Sequence, residues 1–352
     1  MYTKKIFSLP ILARWTIRET LLFFIIALIP TILYEVFDLR WLQVPWTPIA
    51  LIGTAVAFVV GFQNNAAYER IWEARKIWGG IVNTSKTWGM MVMTMVTNNE
   101  GEEISENDIK KEVKILTYRH IAWLTALRYA MRQARPWENF DNNKFDTKWK
   151  EGLHFPESKL SLEESLLAYL SENELKYVLS KTNKQTAILY LQSMHIKTLK
   201  EKKLLWEFSF IELENVLKEF FTLQGQSERI KNFPYPRQYS TIGYFFVWVF
   251  IVLIPFGVLP QFEDIGNLLI INYPLIGKCF IWATIPFAVI VSWVFHTMER
   301  IGRVGENPFE GTATDVPIST ISRGIEIDLR QMLDENPEDI PLQFPEMQNT
   351  QM

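Results

Sequence analysis

WLQVPWTPIALIGTAVAFVVGFQNNAAYERIWEAR, residues Trp41–Arg75, is the stretch on which the reading of the chain turns. Between Arg40 and Glu69 stand 28 residues with no charged side chain, and a bilayer core asks for about 20 helical residues. The stretch is expected to span a membrane. Thr47 suits an N-cap, and Pro48 suits the first helical position, where a missing N–H costs nothing. Composition turns polar at Gly61-Phe62-Gln63-Asn64-Asn65, yet helical spacing continues through Tyr68-Glu69-Arg70. One continuous or gently broken helix is therefore expected to leave the membrane here.

Thr54, Phe58 and Phe62 stand at i, i+4 and i+8, which puts them on one helical stripe about 12 Å long. Gly53, Ala55 and Ala57 are small, as suits a backbone packed closely on a neighbour. Spacing alone fits a stripe facing lipid or a bundle core as well as one with a task of its own.

Moving outward, the composition agrees with a chain partly dissolved in lipid: 352 residues, 48% hydrophobic, 13 tryptophans, with the 21% of charged residues held outside the apolar runs. A net charge of -3 gives no basic surface for a nucleic acid. Cys279 is the single cysteine, so no disulfide forms within the chain. His120, His154, His195 and His296 sit in four separate segments; no metal site and no cofactor are expected.

Before the opening stretch, MYTKKIFSLPILARWTIRE lacks the long apolar run and small-residue cleavage site of a signal peptide and reads as an amphipathic segment at the membrane surface, anchored by Trp15. Residues 17–39 are expected to form a first span, kinked at Pro30, joined to the second by a short link. Beyond the second span, residues 70–97 read as buried helix running out of the membrane. From Asn98 to Arg237 the chain has soluble character. An acidic loop at 98–103 is followed by a helix over Ile109–Arg132 and a loop over 136–157. Capping patterns begin at Ser161 and Ser171, and one long amphipathic helix is expected over Asn183–Leu223.

Pro234 and Pro236 stiffen the turn back to the membrane, and Gln238–Phe262 is 25 uncharged residues, a third span bent at Pro255. A loop at Glu263-Asp264 and a fourth span from Ile265–Pro274 and Cys279–Met298, bent near Pro286, follow. The spans show no clear intramembrane carboxylate. Lysine and arginine concentrate on one side, which places both termini and the helical domain in the cytoplasm of a multi-pass protein of the cell's inner (plasma) membrane. The acidic tail around Asp334–Asp339 reads as solvated or disordered.

The chain is thus expected to be an all-α membrane protein of four parts: residues 1–97, with the surface segment, two spans and their extension; 98–237, a helical cytosolic domain; 238–298, two further spans; and 299–352, a C-terminal segment with the tail.

GFQNNAAYERIWEARKIWG at Gly61–Gly79, YRHIAWLTALRYAMR at Tyr118–Arg132, ERIKNFPYPRQYS at Glu228–Ser240 and GENPFEGTATDVP at Gly305–Pro317 together resemble the bestrophin family of ion channels, bacterial members included. The resemblance spans nearly the whole chain in order. It implies four transmembrane helices per subunit and a homopentamer in lipid around a central pore that passes small ions. The second span would line a neck, whose hydrophobic residues would be Thr54, Phe58 and Phe62. A second, cytosolic constriction would fall at Phe208.

Animal members carry a run of acidic residues after the Asn-Pro-Phe motif that clasps calcium. Here only Glu310 and Asp315 follow Asn307-Pro308-Phe309, so calcium activation is not expected. Rings of Phe58 and Phe62 would stay dry when narrow, because apolar walls cannot replace an ion's hydration shell. Aromatic edges and the N-terminal helix dipole favour anions slightly, while resemblance to bacterial members favours monovalent cations; the sign stays open. The rivals are a secondary transporter, which would show interrupted helices and a charged midplane site, and a non-conducting membrane scaffold. A membrane enzyme lacks a nucleophile constellation here.

Overall fold

In the computed structural model, residues 1–98, 104–138 and 156–352 are described. The helices are α1 (Leu9–Glu35), α2 (Trp46–Met95), α3 (Glu106–Arg132), the short α4 (Pro156–Lys159), α5 (Leu162–Leu166) and α6 (Glu172–Leu179), then α7 (Lys184–Glu201), α8 (Glu207–Asn232), α9 (Arg237–Ile270), α10 (Pro274–Cys279), α11 (Thr284–Gly305) and α12 (Ile318–Met332). Four stretches are long and apolar enough to cross a membrane: Pro10–Glu35, Arg40–Met95, Arg237–Ile270 and Pro274–Gly305.

The 50 residues of α2 tie the molecule together, since this one helix runs through both of its cores. Its first half packs on α9 and α11, where Ile49, Val56 and Val60 meet Phe250, Ile254, Ile285 and Ala288, with Phe23 and Ala27 of α1 closing the bundle. Backbones come close here: a Cβ on Gly53 would stand 2.7 Å from the Phe250 ring, and one on Gly257 would stand 2.5 Å from Ile49. Glycine is what those crossings require. The outward faces of α1, α9 and α11 keep Leu21, Phe24, Ile25, Phe245, Val249, Ile290 and Val294 exposed, a coat suited to acyl chains.

The second half of α2 is the axis of an all-helical domain built from α3, α7, α8 and α12, with Trp78, Ile81, Trp88, Leu116, Trp123, Phe220 and Leu329 at its centre. His120 lies among them, its ring 5.3 Å from Trp123 and 4.5 Å from Phe220, with Nε2 2.9 Å from Ser85 Oγ. Burial holds this imidazole neutral and pushes its pKa down to about 3.

The unfolded chain binds a proton on His120 that the folded chain refuses, so stability is present above the ordinary histidine value and is lost as pH falls. Acidification from about 6.5 toward about 3 is expected to remove up to ~1.4 kcal/mol per pH unit at this residue. Denaturant unfolding at stepped pH checks it: His120→Gln has the flatter profile over that window.

Several boundaries differ from the sequence expectation, each for a local reason. The first helix begins at Leu9, with Pro10 in its first turn, and ends at Glu35 rather than 39; Asp38 in the left-handed region (φ 54°) lies in the connection that follows. α2 starts at Trp46, with Pro45 as its N-cap, so Thr47 and Pro48 already lie inside the first turn. Helices continue through Pro30 and Pro255. Glu263 and Asp264 belong to α9, not to a loop, and Ile265–Ile270 extends the third span rather than opening the fourth.

The long helix expected over Asn183–Leu223 is two helices. Lys203 at φ 59° breaks it between α7 and α8. Both capping boxes form, Ser161 with Glu164 and Ser171 with Glu174. Residues 99–103 of the expected acidic loop and 139–155 of the expected 136–157 loop, His154 among them, lie outside the described residues.

The acidic tail is solvated at Asp334, Asn336, Glu338 and Asp339, as expected, but is pinned to the domain at Glu335. Glu335 accepts hydrogen bonds from Tyr118 Oη at 2.7 Å and Arg330 Nε at 2.7 Å and pairs with Lys114 at 2.9 Å. Further on, Tyr2 and Thr350 form a β-bridge, Gln351 N–H donates to the Met1 carbonyl at 2.9 Å, and Tyr2 N–H donates to the Ala313 carbonyl at 2.6 Å. Chain start, chain end and the segment after α11 are one knot.

Candidate functional site

α2 has two unlike sides in its membrane half. Ile49, Gly53, Val56, Val60, Gln63 and Ala67 are buried against the chain's own helices. The other side carries Thr54, Phe58 and Phe62. Phe58 is 65% exposed and Phe62 71% exposed, and Thr54 is exposed with its hydroxyl turned back on the Ala50 carbonyl at 2.9 Å. That last bond spends the only polar group of the stripe on its own backbone, so the face is apolar over its full length of about 12 Å. Of the small residues noted in the sequence, Gly53 sits in a helix crossing, while Ala55 and Ala57 share the uncovered side.

The uncovered side continues past the stripe to Asn65, Tyr68, Glu69 and Trp72, with the Tyr68 and Trp72 rings stacked at 6.4 Å and 9°. Charge therefore returns only at Glu69. At the opposite end, no side chain caps the first N–H groups of α2, so its positive dipole end is left unmasked.

Phe208 is not brought to this stripe. It sits in the first turn of α8, 81% exposed. A hydrogen bond from Thr97 N–H to the Leu204 carbonyl at 3.0 Å sets that turn beside the far end of α2. Phe62 to Met95 is 33 residues of helix, about 50 Å along the axis.

Sequence reading missed a polar layer just inside the stripe. Gln63 and Asn64 of α2 face Gly302 of α11, where a Cβ would stand 2.5 Å from Asn64 Oδ1, and Gln63 Nε2 donates to Glu306 Oε1 at 3.2 Å. Glu299, one turn before Gly302 on the helix that carries the fourth apolar stretch, is fully buried. Its position one residue past the expected span made it look like an ordinary interfacial charge.

The segment after α11 is a poor calcium clasp. Asp315, 2% exposed, accepts from Gly311 N–H at 2.5 Å and from the Thr312 hydroxyl, with the Arg132 guanidinium 3.7 Å away. Glu310 accepts from Asn307 Nδ2 at 3.1 Å. These carboxylates are already held by N–H, O–H and guanidinium donors, and among the described residues no group of three or more His, Cys, Asp or Glu could hold a metal ion.

Long spans around one through-running helix, with a helical domain on its extension, define a helical membrane protein whose candidate site is a single apolar helix face. The sequence profile described as "Bacterial/Fungal Bestrophin protein" matches residues 10–331, and the chain belongs to that family. It is 26% identical to a voltage-dependent anion channel-forming protein of Ralstonia nicotianae over 82% of this chain and 78% of that protein. It is 24% identical to voltage-dependent anion channel-forming protein YneE of Salmonella typhi over 91% of this chain and 87% of that one. The fold is similar to the crystal structure of a bestrophin homologue from Klebsiella pneumoniae, at TM-score 0.71 and 22% identity, covering 91% of this chain and 99% of that one.

Proposed function

We propose that this chain is one of five identical subunits of an ion channel of the inner (plasma) membrane, both termini cytoplasmic. Copies of α2 surround a central pore whose neck is lined by Thr54, Phe58 and Phe62. The observation that carries this reading is the uncovered apolar stripe of a helix whose opposite side is buried in its own bundle. A stripe made for lipid alone has no need of a 50-residue helix that continues as the axis of a water-soluble domain. The Ralstonia and Salmonella relatives, named as voltage-dependent anion channel-forming proteins, support the same class.

Passage is passive and of small monovalent ions. The neck gates by wetting and drying: narrow rings of Phe58 and Phe62 exclude ions, and slight widening admits water and the ions with it. Phe208 forms a second, cytosolic narrowing, a reading supported by its 81% exposure at the start of α8. The helix-dipole end at Trp46 and the aromatic edges favour anions weakly.

Purified protein in liposomes with asymmetric salt tests the proposal. Discrete current steps are expected, and the sign of the reversal potential assigns the permeant ion. Absence of flux, or a solubilised particle of one-subunit mass, overturns it, and flux without discrete steps favours a transporter.

A further inference from the structure

The layer of α11 beneath the neck holds more buried acceptor oxygens than its donors serve. Glu299 and Glu306 are both 0% exposed. Neither oxygen of Glu299 has a hydrogen-bond donor, whereas Glu306 accepts from Gln63 Nε2 and has the Ser240 hydroxyl within reach. Gln63 Oε1, against Gly243 of α9, and Asn64 Oδ1, against Gly302 of α11, are unpartnered too. The two glutamates feel one another's charge, and Gly302 between them lets α2 approach to contact distance.

The neighbouring cations direct their N–H groups elsewhere. Arg70 donates to the carbonyls of Glu306, Ile230 and Phe233 at 2.9, 3.0 and 2.9 Å. Arg300 donates to the Trp15 carbonyl at 2.6 Å, lies over that indole and stands 3.7 Å from Glu19. Arg237 donates to the Trp137 carbonyl and stays 3.7 Å from Glu306. Arg303 lies over the Tyr244 ring and stays 3.6 Å from Glu299. Distances of that size give Coulomb attraction without a hydrogen bond. Of the remaining titratable groups, His296 packs on Phe23 and Trp248, and Tyr235 lies within electrostatic reach of Glu306.

A carboxylate buried without a donor is costly, and one proton turns an acceptor into a donor that serves a neighbouring oxygen. We propose that buried Glu299 is a proton-binding site, tuned by the charge of Glu306, that by releasing its proton loosens the seat of α11 on α2 directly beneath the neck. Gln63 follows Phe62 in sequence and is buried where Phe62 is exposed, so a shift in this layer moves the phenylalanine ring. The second half of the proposal rests on the channel reading; the proton site does not.

Infrared spectra of the full chain in lipid, taken across pH, read the site without any current. The expected result is a protonated-carboxyl band that persists well above the ordinary carboxylate range, disappears in Glu299→Gln and is lost or displaced in Glu306→Gln. In parallel, liposome flux is expected to change at least about tenfold over the same titration and to lose that dependence in either variant. A band absent from the wild type, or unchanged in both variants, overturns the site. So does a band seen only when sodium is replaced by choline, which would make the ligand a metal cation.

Flux whose pH profile is the same in wild type and variants overturns the coupling. A correct band with no flux at any pH overturns the channel reading and leaves the site standing. Should Glu299→Gln fail to assemble, Glu306→Gln carries the same comparison.

Discussion

Phe58→Ala combined with Phe62→Ala is expected to raise ion flux in liposomes by about tenfold or more, the equivalent of lowering a barrier by ~1.4 kcal/mol. Each substitution removes a ring from a face that the chain leaves 65% and 71% exposed, without opening a cavity in its core. Folding should therefore be spared while the passage widens and wets. Flux and open probability unchanged in the double variant would remove both rings from the gate. Because barriers in series add as resistances, Phe208→Ala alone is expected to change flux little while the neck limits it. The same substitution shows a larger effect in the Phe58→Ala, Phe62→Ala background. An effect of equal size in both backgrounds would separate Phe208 from the conduction path.

How far the sequence announces this architecture follows from which forces act locally. Apolar run length is a local quantity, so four membrane stretches were legible in it, and so were the reciprocal caps at Ser161 and Ser171, where side chain and backbone lie three residues apart. The stripe of Thr54, Phe58 and Phe62 was legible as a face but not as an uncovered one, because that depends on what α9 and α11 place on the other side. Lys203 gave no warning, since a lysine in the left-handed region is set by the packing of α7 on α8 rather than by its own preference. Within the tail only Glu335 misled, for a similar reason: it looks solvated until Lys114 and Tyr118 are brought to it from distant positions. The Glu299 layer was hidden most deeply, because a charge at the end of an apolar run looks the same whether it faces water or a neighbouring helix.

The other large effect belongs to the charge buried where α3 meets the segment after α11. Arg132 donates to the Phe309 carbonyl at 3.0 Å and stands 3.7 Å from Asp315, both side chains almost fully buried. Burial pushes the Asp315 carboxyl up, and Arg132 pulls it back toward the charged form. Arg132→Met removes that pull and leaves a buried carboxylate with its Gly311 and Thr312 hydrogen bonds but no guanidinium beside it, a change expected to cost about 3–5 kcal/mol in denaturant unfolding followed by tryptophan fluorescence.

The sign of its pH dependence separates this cause from a mere packing defect. With Arg132 gone, the folded chain holds a proton on Asp315 that the unfolded chain releases above about 3.9, so the deficit relative to wild type is largest at neutral pH and shrinks on acidification. The His120 contribution is common to both proteins and cancels in the difference. Asp315→Asn in the Arg132→Met background is expected to recover a large part of the loss at neutral pH and to flatten the profile, as coupled neighbours do in a double-mutant cycle. A deficit independent of pH, or one that the second substitution deepens, would mean that Arg132 acts through the Phe309 carbonyl and its packing, and that the pair does not fasten this segment to α3.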